Sequence, residues 1–352
     1  MRASLPFPHA FLFTAAAMLM PEAAAHTAST SADTLAFAAW RVEAWIAASA
    51  ALSCWICAAH VALRAAPLAA MALKLLAAVT VLALCLVWRI DAYIAVGLFL
   101  ASWLYALGVF RLWREARSGA GISYQRAACY FSGLAVLIIA LLSPVDVVAD
   151  DLFSMHMVQH ELLMLAAAPL LVAGKPLAAF IWAFPPAMRG AIAVTLQAGP
   201  VGRIWRVLHQ PLFAWSQHVL VLWSWHSPSL FQAGVESAAM HTAQHVSFLL
   251  SSLLFWSSLS GSASQLHRGG AVLYVLTTAI HTGMLGALLT FSPRSWYPVY
   301  AGRSTEWGLT LLEDQQLGGL IMWVPAGFAF VIAGLAYAVQ LIAPHRPVRA
   351  ES

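Results

Sequence analysis

The chain has 352 residues, of which 62% are hydrophobic and only 9% are charged, and its formal net charge is +4. Soluble globular proteins are about 45–50% apolar and about 25% charged, so this chain has too few charged side chains to cover a water-soluble body of its size. The composition excludes soluble enzymes, nucleic-acid-binding proteins and disordered chains, and it indicates a protein that is integral to a membrane.

Residues 1–25 have the order of a secretory signal peptide. Arg2 precedes an apolar run, and three alanines that end at Ala25 supply an A-x-A cleavage site. The same composition also fits an uncleaved membrane anchor. We expect a signal peptide over 1–25, followed by an N-terminal extension over 26–89.

Nine windows of the chain are long and apolar enough to cross a membrane as helices, because a crossing takes roughly 20 apolar residues. The windows are 44–63, 68–88, 91–112, 127–147, 153–173, 211–231, 239–259, 271–291 and 312–341. The apolar part of the last window begins near Leu317. The sequence therefore predicts an all-α, polytopic transmembrane bundle of about nine spans, two of them in the extension and seven in a membrane domain over 90–341.

The distribution of charge predicts the orientation of these spans. Most of the 18 Lys and Arg residues fall in one set of loops, and most acidic residues fall in the opposite set. Loops rich in Lys and Arg stay in the cytoplasm. We therefore expect the mature N-terminus outside and a cytoplasmic tail over 342–352. The proline-broken segment 174–210 is expected to be cytoplasmic or interfacial.

Histidines gather at one depth of this predicted bundle. His156 and His160 lie in the first turns of one span, His241 and His245 lie in the first turns of another, and His226 lies near the outer end of a third. Residues four apart share one face of a helix, and polar groups inside a bilayer usually face the bundle interior. Two such pairs at one depth have no common packing reason, so they predict a metal or redox site in the outer third of the membrane.

The residue types around this site favour copper. Imidazole suits copper, zinc, iron or nickel, whereas thioether sulfur favours Cu(I). Met157 adjoins the first histidine pair, so we count it as a sixth candidate ligand and predict copper, with Cu(I) favoured. Met164 and Met322, taken singly, are expected to be packing residues. A lone histidine such as His218 or His281 is expected to hydrogen-bond to a neighbouring helix.

Glu161 is a carboxylate beside the first histidine pair. Its position allows two interpretations. It can orient a histidine that binds the metal, or it can face a polar pathway without binding the metal itself.

An ordered set of blocks is similar to the sequence motifs of the CtaG family of cytochrome c oxidase assembly proteins. The blocks are Ser143-Pro144-Val145-Asp146, Met155-His156-Met157-Val158-Gln159-His160-Glu161-Leu162-Leu163, Gly174-Lys175-Pro176, Trp225-His226-Ser227-Pro228, His241 with His245, Tyr297-Pro298-Val299-Tyr300, and Asp314-Gln315-Gln316-Leu317-Gly318-Gly319-Leu320-Ile321-Met322-Trp323. The resemblance covers about 90–340. It implies a seven-span protein of a bacterial plasma membrane that helps to build haem-copper oxidases, with a proposed role in copper handling. Glu161 stands where the family usually carries an apolar residue, and the resemblance does not explain residues 1–89.

We therefore favour an assembly factor that holds copper at the outer face and passes it to an oxidase subunit, with a periplasmic copper chaperone as a second expected partner. Three alternatives stay open: a copper permease whose path continues inward through His281, Met284 and His218; a b-type haem protein with two axial histidines; and a metal-free scaffold. The sequence contains no nucleophile and base arrangement, phosphate loop or nucleotide motif, so we do not expect an enzyme.

Overall fold

The computed structural model describes residues 92–260, 266 and 268–342. Every regular element in these ranges is helical, as the sequence predicts. The expected signal peptide, the windows 44–63 and 68–88 and the chain from residue 343 onward lie outside the described residues.

The helices are numbered here in chain order. They are α1 Ala92–Glu115, α2 Tyr124–Leu142, α3 Pro144–Ala149, α4 Phe153–Ala173, α5 Pro176–Trp182, α6 Pro186–Gln197, α7 Gly199–Leu208, α8 Pro211–Trp225, α9 Pro228–Glu236, α10 Ala238–Leu259, α11 Arg268–Phe291, α12 Arg303–Glu306 and α13 Leu311–Ile342. A π-helical segment, Leu162–Ala167, lies inside α4, and a 3-10 turn, Pro298–Tyr300, precedes α12.

Five helices in the described part of the chain are long and apolar enough to cross a membrane, and they overlap five of the predicted windows. They are α1, α2, α4, α11 and α13. The window 127–147 was too long at its end, because α2 stops at Leu142 and α3 begins at Pro144. Helix α10 has 22 residues, but its first turns are polar. Helix α8 has 15 residues, which at 1.5 Å per residue makes it shorter than the roughly 30 Å of membrane hydrocarbon. The total of nine spans stays a prediction.

The window 211–231 differs from the prediction, because two helices replace one. Helix α8 ends at Trp225, and α9 begins at Pro228. Proline disfavours helical geometry at the residue before it, and Ser227 is accordingly extended, with a ψ of 137°. The break leaves His226 at the end of α8.

The segment 174–210 forms three short helices, α5 to α7. Each has a proline at its first or second position, where the missing N–H has no intrahelical partner to lose. Helix α5 packs against α1, and a Cβ on Gly108 would lie 1.8 Å from the carbonyl oxygen of Ala179. At least this part of the segment therefore belongs to the helix bundle.

Helix α13 begins six residues before the predicted apolar start at Leu317. The Glu313 carboxylate accepts hydrogen bonds from the backbone N–H and hydroxyl of Thr310, and the Thr310 hydroxyl accepts one from the Glu313 N–H. This reciprocal cap satisfies N–H groups that a helix start leaves open. It therefore stabilises the polar first turns of the helix, which the window 312–341 includes.

The most extensive helix pairing joins α11 and α13. Two glycines allow it: a Cβ on Gly319 would lie 2.7 Å from the Gly286 carbonyl oxygen and 2.5 Å from the Thr290 hydroxyl. Small residues let helix backbones approach closely inside membranes.

We predict that Gly319→Ala lowers the free energy of unfolding by about 1–3 kcal/mol, because the added methyl meets the backbone of α11. Gly327→Ala is the matched control on the same helix, since a Cβ there has no atom within 4 Å. Thermal unfolding of both variants in detergent tests this. Equal stability of the two would contradict the tight contact between α11 and α13.

Candidate metal centre

The start of α4 is fixed by a buried carboxylate on α13. Asp314 accepts hydrogen bonds from the backbone N–H of Phe153, at 2.7 Å, and of Ser154, at 3.0 Å. A helix start leaves its first N–H groups without intrahelical partners, and a negative charge there also interacts favourably with the helix dipole. The first turn of α4, which carries His156, therefore has its position set by α13.

Gln159 connects α4 to the two helices that precede it in the chain. Its Nε2 donates to the carbonyl oxygen of Ala140 and to the carboxylate of Asp146, both at 2.8 Å. Ser143 caps α3 by accepting from the backbone N–H of Val145. These contacts connect α4 to α2 and α3 and fix its rotation.

Five histidines meet at this end of the bundle, and we call them the histidine cluster. Centroids of neighbouring rings lie 4.2–5.9 Å apart. The members are His156 and His160 on α4, His226 at the end of α8, and His241 and His245 on α10. The structure thus brings together all five histidines that the sequence predicted as ligands.

Three members of the cluster are close enough to share one ion. A ring nitrogen of each of His156, His241 and His245 lies within 4.8 Å of the others. His160 lies 5.5 Å from His245 and 5.9 Å from His226, measured between ring centroids. The cluster therefore contains a three-histidine set with two further imidazoles beside it.

A hydrogen bond determines which ring nitrogen of His156 can bind a metal ion. The hydroxyl of Tyr300 lies 3.3 Å from the carbonyl oxygen of Ala149 and 3.1 Å from His156 Nδ1. A carbonyl oxygen only accepts, so the hydroxyl donates its proton to Ala149 and accepts from His156 Nδ1–H. The lone pair of His156 is then on Nε2, which is buried and has no hydrogen-bond partner.

Tyr300 keeps the proton that this arrangement needs. It lies in the turn between α11 and α12, outside the membrane-spanning helices, and is fully buried. Burial, together with the nearby carboxylates of Asp314 and Asp150, raises the pKa of Tyr300 well above its ordinary value. The hydroxyl therefore stays a donor over the physiological pH range.

His226 is oriented in the same way. Its Nδ1 lies 2.7 Å from the carbonyl oxygen of Leu222, which only accepts, so Nδ1 carries the proton and the lone pair is on Nε2. Tyr297 donates a hydrogen bond of 2.8 Å to the backbone carbonyl of His226. The break at Pro228 and this tyrosine together hold the ring at the end of α8.

Four members of the cluster are buried, and His241 is half-buried. Several ring nitrogens of the buried members have no hydrogen-bond partner. His160 is 1% exposed, and neither of its ring nitrogens has a hydrogen-bond partner; Nε2 of His226 and Nε2 of His245 are also without one. Phe231 and Phe248 wall the cluster. Leaving buried polar atoms unpaired costs free energy, and converging lone pairs of this kind are what a metal ion would satisfy.

The other predicted residues lie in different surroundings. Met157 is fully buried in the apolar core and packs against Gly318 of α13, so its place among the ligands stays a prediction. Met284 is 51% exposed, on the face of α11 that points away from the bundle. His218 and His281 lie 6.4 Å apart between ring centroids, as a separate pair. Glu161 lines an inner cavity with His218.

Sequence reasoning missed the roles of Tyr297, Tyr300 and Asp314 in this site. The two tyrosines lie in a short polar loop, and only their spacing in a Tyr-Pro-Val-Tyr block marked them. Asp314 was marked only as the first residue of a motif block, whereas its hydrogen bonds run to the backbone of α4. Such contacts between distant parts of the chain leave no local pattern.

The chemistry open to this cluster is binding and exchange of a metal that accepts nitrogen ligands. Neutral imidazoles suit copper and zinc. In the described part of the chain, His156, His241 and His245 are the group of His, Cys, Asp and Glu side chains with metal-binding geometry. Adjacent imidazoles outside that set supply the alternative ligands that metal exchange requires.

In a comparison with known protein families, one family model matches this chain. The family model of the cytochrome c oxidase caa3 assembly factor matches residues 103–343. Neither a curated protein nor a solved structure matches the chain. The matched segment contains every residue of the histidine cluster.

We predict that Asp314→Asn destabilises the protein by about 1–3 kcal/mol, because one N–H at the start of α4 loses its buried acceptor. Glu313→Gln is the matched control, since the neighbouring Glu313 is exposed and caps only its own helix. Unfolding in detergent and hydrogen exchange at residues 153 and 154 measure the effect. Unchanged exchange at these two amides would contradict the role of Asp314.

Proposed function

The chain belongs to the family of cytochrome c oxidase caa3 assembly factors, and we propose that it carries copper in that assembly. The histidine cluster binds a copper ion, favoured as Cu(I), at the outer end of the bundle and delivers it to a subunit of a haem-copper oxidase. The copper is cargo and changes ligands without a change of oxidation state.

The observation that carries this proposal is the three-histidine set. Ring nitrogens of His156, His241 and His245 lie within 4.8 Å of one another, and a hydrogen bond to Tyr300 directs the lone pair of His156 to Nε2. Imidazole is a good copper ligand, and metal-binding histidines typically donate their other ring N–H to a fixed acceptor. His226 has the same feature through Leu222.

Delivery requires that the ion leave as readily as it enters. Cu(I) takes few ligands, so five imidazoles exceed the need of one ion. His160 and His226 border the three-histidine set, and an ion can move by gaining one imidazole as it loses another. A fixed closed site would instead hold the metal permanently.

The proposed orientation places the cluster at the outer face of a bacterial plasma membrane. Arg111 and Arg189 lie at the other end of the bundle, where Arg111 donates to the carbonyl of Ala183 and Arg189 pairs with Glu115 at 2.8 Å. Positive charge favours the cytoplasmic side. A periplasmic copper chaperone and the oxidase subunit would then both meet the histidine end.

Two alternatives receive less support from the packing. A haem between two histidines needs room for a porphyrin, whereas His160 already contacts Phe248 with ring centroids 4.5 Å apart. A permease path through Met284 is disfavoured because that side chain faces out of the bundle. A metal-free scaffold is distinguished by the copper measurements below.

We predict that replacing His156, His241 and His245 together with alanine abolishes copper binding at the outer site while the helical fold is retained. His209→Ala is the matched control, because that ring stacks on Trp205 away from the cluster. Anaerobic Cu(I) titration of the detergent-purified proteins against a chromophoric chelator measures affinity and stoichiometry. Equal binding by the triple variant and the control would exclude the three-histidine site.

In cells, the same triple variant distinguishes copper delivery to the oxidase from a metal-free scaffold role. Delivery predicts an oxidase that accumulates with reduced copper content, whereas His209→Ala supports normal oxidase. Metal analysis of the purified oxidase gives the answer. Full copper occupancy and activity in cells with the triple variant would overturn delivery and favour the scaffold.

We also predict that Tyr300→Phe lowers the affinity for Cu(I) by about 10–100-fold, because the His156 ring loses the acceptor that fixes its tautomer. Tyr337→Phe makes the same chemical change at a hydroxyl that donates to the carbonyl of Leu259, so it should bind normally. Affinities that match in these two variants would count against the orienting role of Tyr300.

A further inference from the structure

A second group of metal-binding atom types surrounds a small inner cavity. The cavity has a volume of about 20 Å³ and is lined by Glu161, Met164, His218 and Met322 among aromatic and aliphatic side chains. That volume holds about one water-sized particle. The cavity therefore has room for one dehydrated ion rather than for an organic ligand.

The donor set at this cavity is unusual for a membrane interior. Met164 and Met322 are 5% and 3% exposed, and both residues line the cavity. Glu161 has a buried oxygen, Oε2, with no hydrogen-bond partner. A carboxyl group inside a membrane is costly and normally has a partner or a function. Two sulfurs, one imidazole and one carboxyl group together suit a soft cation.

The tautomer of His218 is set by a hydrogen bond to Ser251. Its Nδ1 lies 3.3 Å from the hydroxyl of Ser251, and that hydroxyl donates to the carbonyl oxygen of Phe248 at 2.9 Å. Because the single hydroxyl proton goes to Phe248, Ser251 accepts from His218 Nδ1–H. The lone pair of His218 is then on Nε2.

The backbone at Met164 is also set by its surroundings. The π-helical segment Leu162–Ala167 contains a five-residue hydrogen bond from Ala168 N–H to the carbonyl of Leu163. The indole of Trp256 donates to the Met164 carbonyl at 2.9 Å, and Trp256 itself lines the cavity. π-helical turns occur frequently at functional sites. Here one stands where α4 passes from the histidine cluster to the cavity.

The cavity adjoins the histidine cluster through shared walls. His160 belongs to the cluster, and the next residue, Glu161, belongs to the cavity. On α8, Leu222 lines the cavity while its carbonyl accepts from His226 of the cluster. The two sites therefore adjoin on α4, where His160 and Glu161 are consecutive, and on α8, where Leu222 contacts both.

We propose that this cavity is a second Cu(I) site, in which Met164, Met322 and His218 bind the ion and the Glu161 carboxylate balances its charge. It exchanges copper with the histidine cluster and holds an ion in reserve for delivery. This inference rests on the proposed copper function of the cluster. Each methionine, taken singly, was expected to be a packing residue; both line one cavity together with a carboxyl group, and we therefore reassign them as ligands.

The test is anaerobic Cu(I) titration of the full chain in detergent, with Met164→Leu and Met322→Leu combined. Leucine keeps the volume and removes the sulfur. Met188→Leu with Met284→Leu is the matched control, because both methionines are exposed on the surface. We expect two copper ions in the parent and the control and one in the cavity variant. Unchanged stoichiometry and affinity in the cavity variant would overturn the inner site.

Failure of this inference is distinguishable from failure of the proposed function. A single ion that is lost in the His156, His241 and His245 triple variant but kept in the cavity variant removes the inner site and leaves the outer one. Binding of one ion by the triple variant, together with no binding of that ion by the cavity variant, supports the inner site alone.

Spectroscopy supplies a readout that does not depend on counting ions. The protein with selenomethionine, loaded with Cu(I), should show copper–selenium scattering in X-ray absorption, and this scattering should be weaker in the cavity variant. Glu161→Gln should lower the affinity for the second copper ion by about tenfold or more, because the neutral amide no longer balances the charge of the ion. Copper–selenium scattering of undiminished strength in the cavity variant would contradict the site.

Discussion

The buried carboxylate of Asp314 is the contact on which the functional end of the molecule depends. It accepts from the first two N–H groups of α4, where water is excluded and no intrahelical partner exists. Gly318 lies one turn along α13 and leaves room for Phe153, since a Cβ there would be 2.4 Å from that ring. These contacts fix the position of α4 along α13, and they therefore also fix the positions of His156 and His160 on α4.

A second constraint acts on the imidazoles themselves. His156, His226 and His218 each end a hydrogen-bond chain at a backbone carbonyl, which cannot donate. In each case the proton is thereby placed on Nδ1 and the lone pair on Nε2. Ligand atoms are thus oriented before any ion arrives, so binding loses little free energy to ordering the side chains. The same logic serves both the outer cluster and the inner cavity.

Much of the fold followed from local sequence. The window 153–173 coincides with α4, and the two i,i+4 histidine pairs meet as their spacing indicated. The prediction was wrong where proline overrode hydropathy: at the break before Pro228, and at the end of α2 before Pro144. A hydropathy window averages over such single residues, so it cannot register a cap or a helix break. The region before residue 92 offers no such comparison.

The sequence by itself determined that this is a helical membrane protein with histidines gathered at one depth, because apolar run length and helical periodicity are local properties of the chain. Only the tertiary structure decided which histidines lie close enough together to share an ion. The three-histidine set joins α4 to α10, Tyr300 is 144 residues from His156, and Met164 and Met322 converge from two helices on one cavity. Distances of this kind depend on how helices pack against one another, and helix packing is set by contacts between residues far apart in the chain.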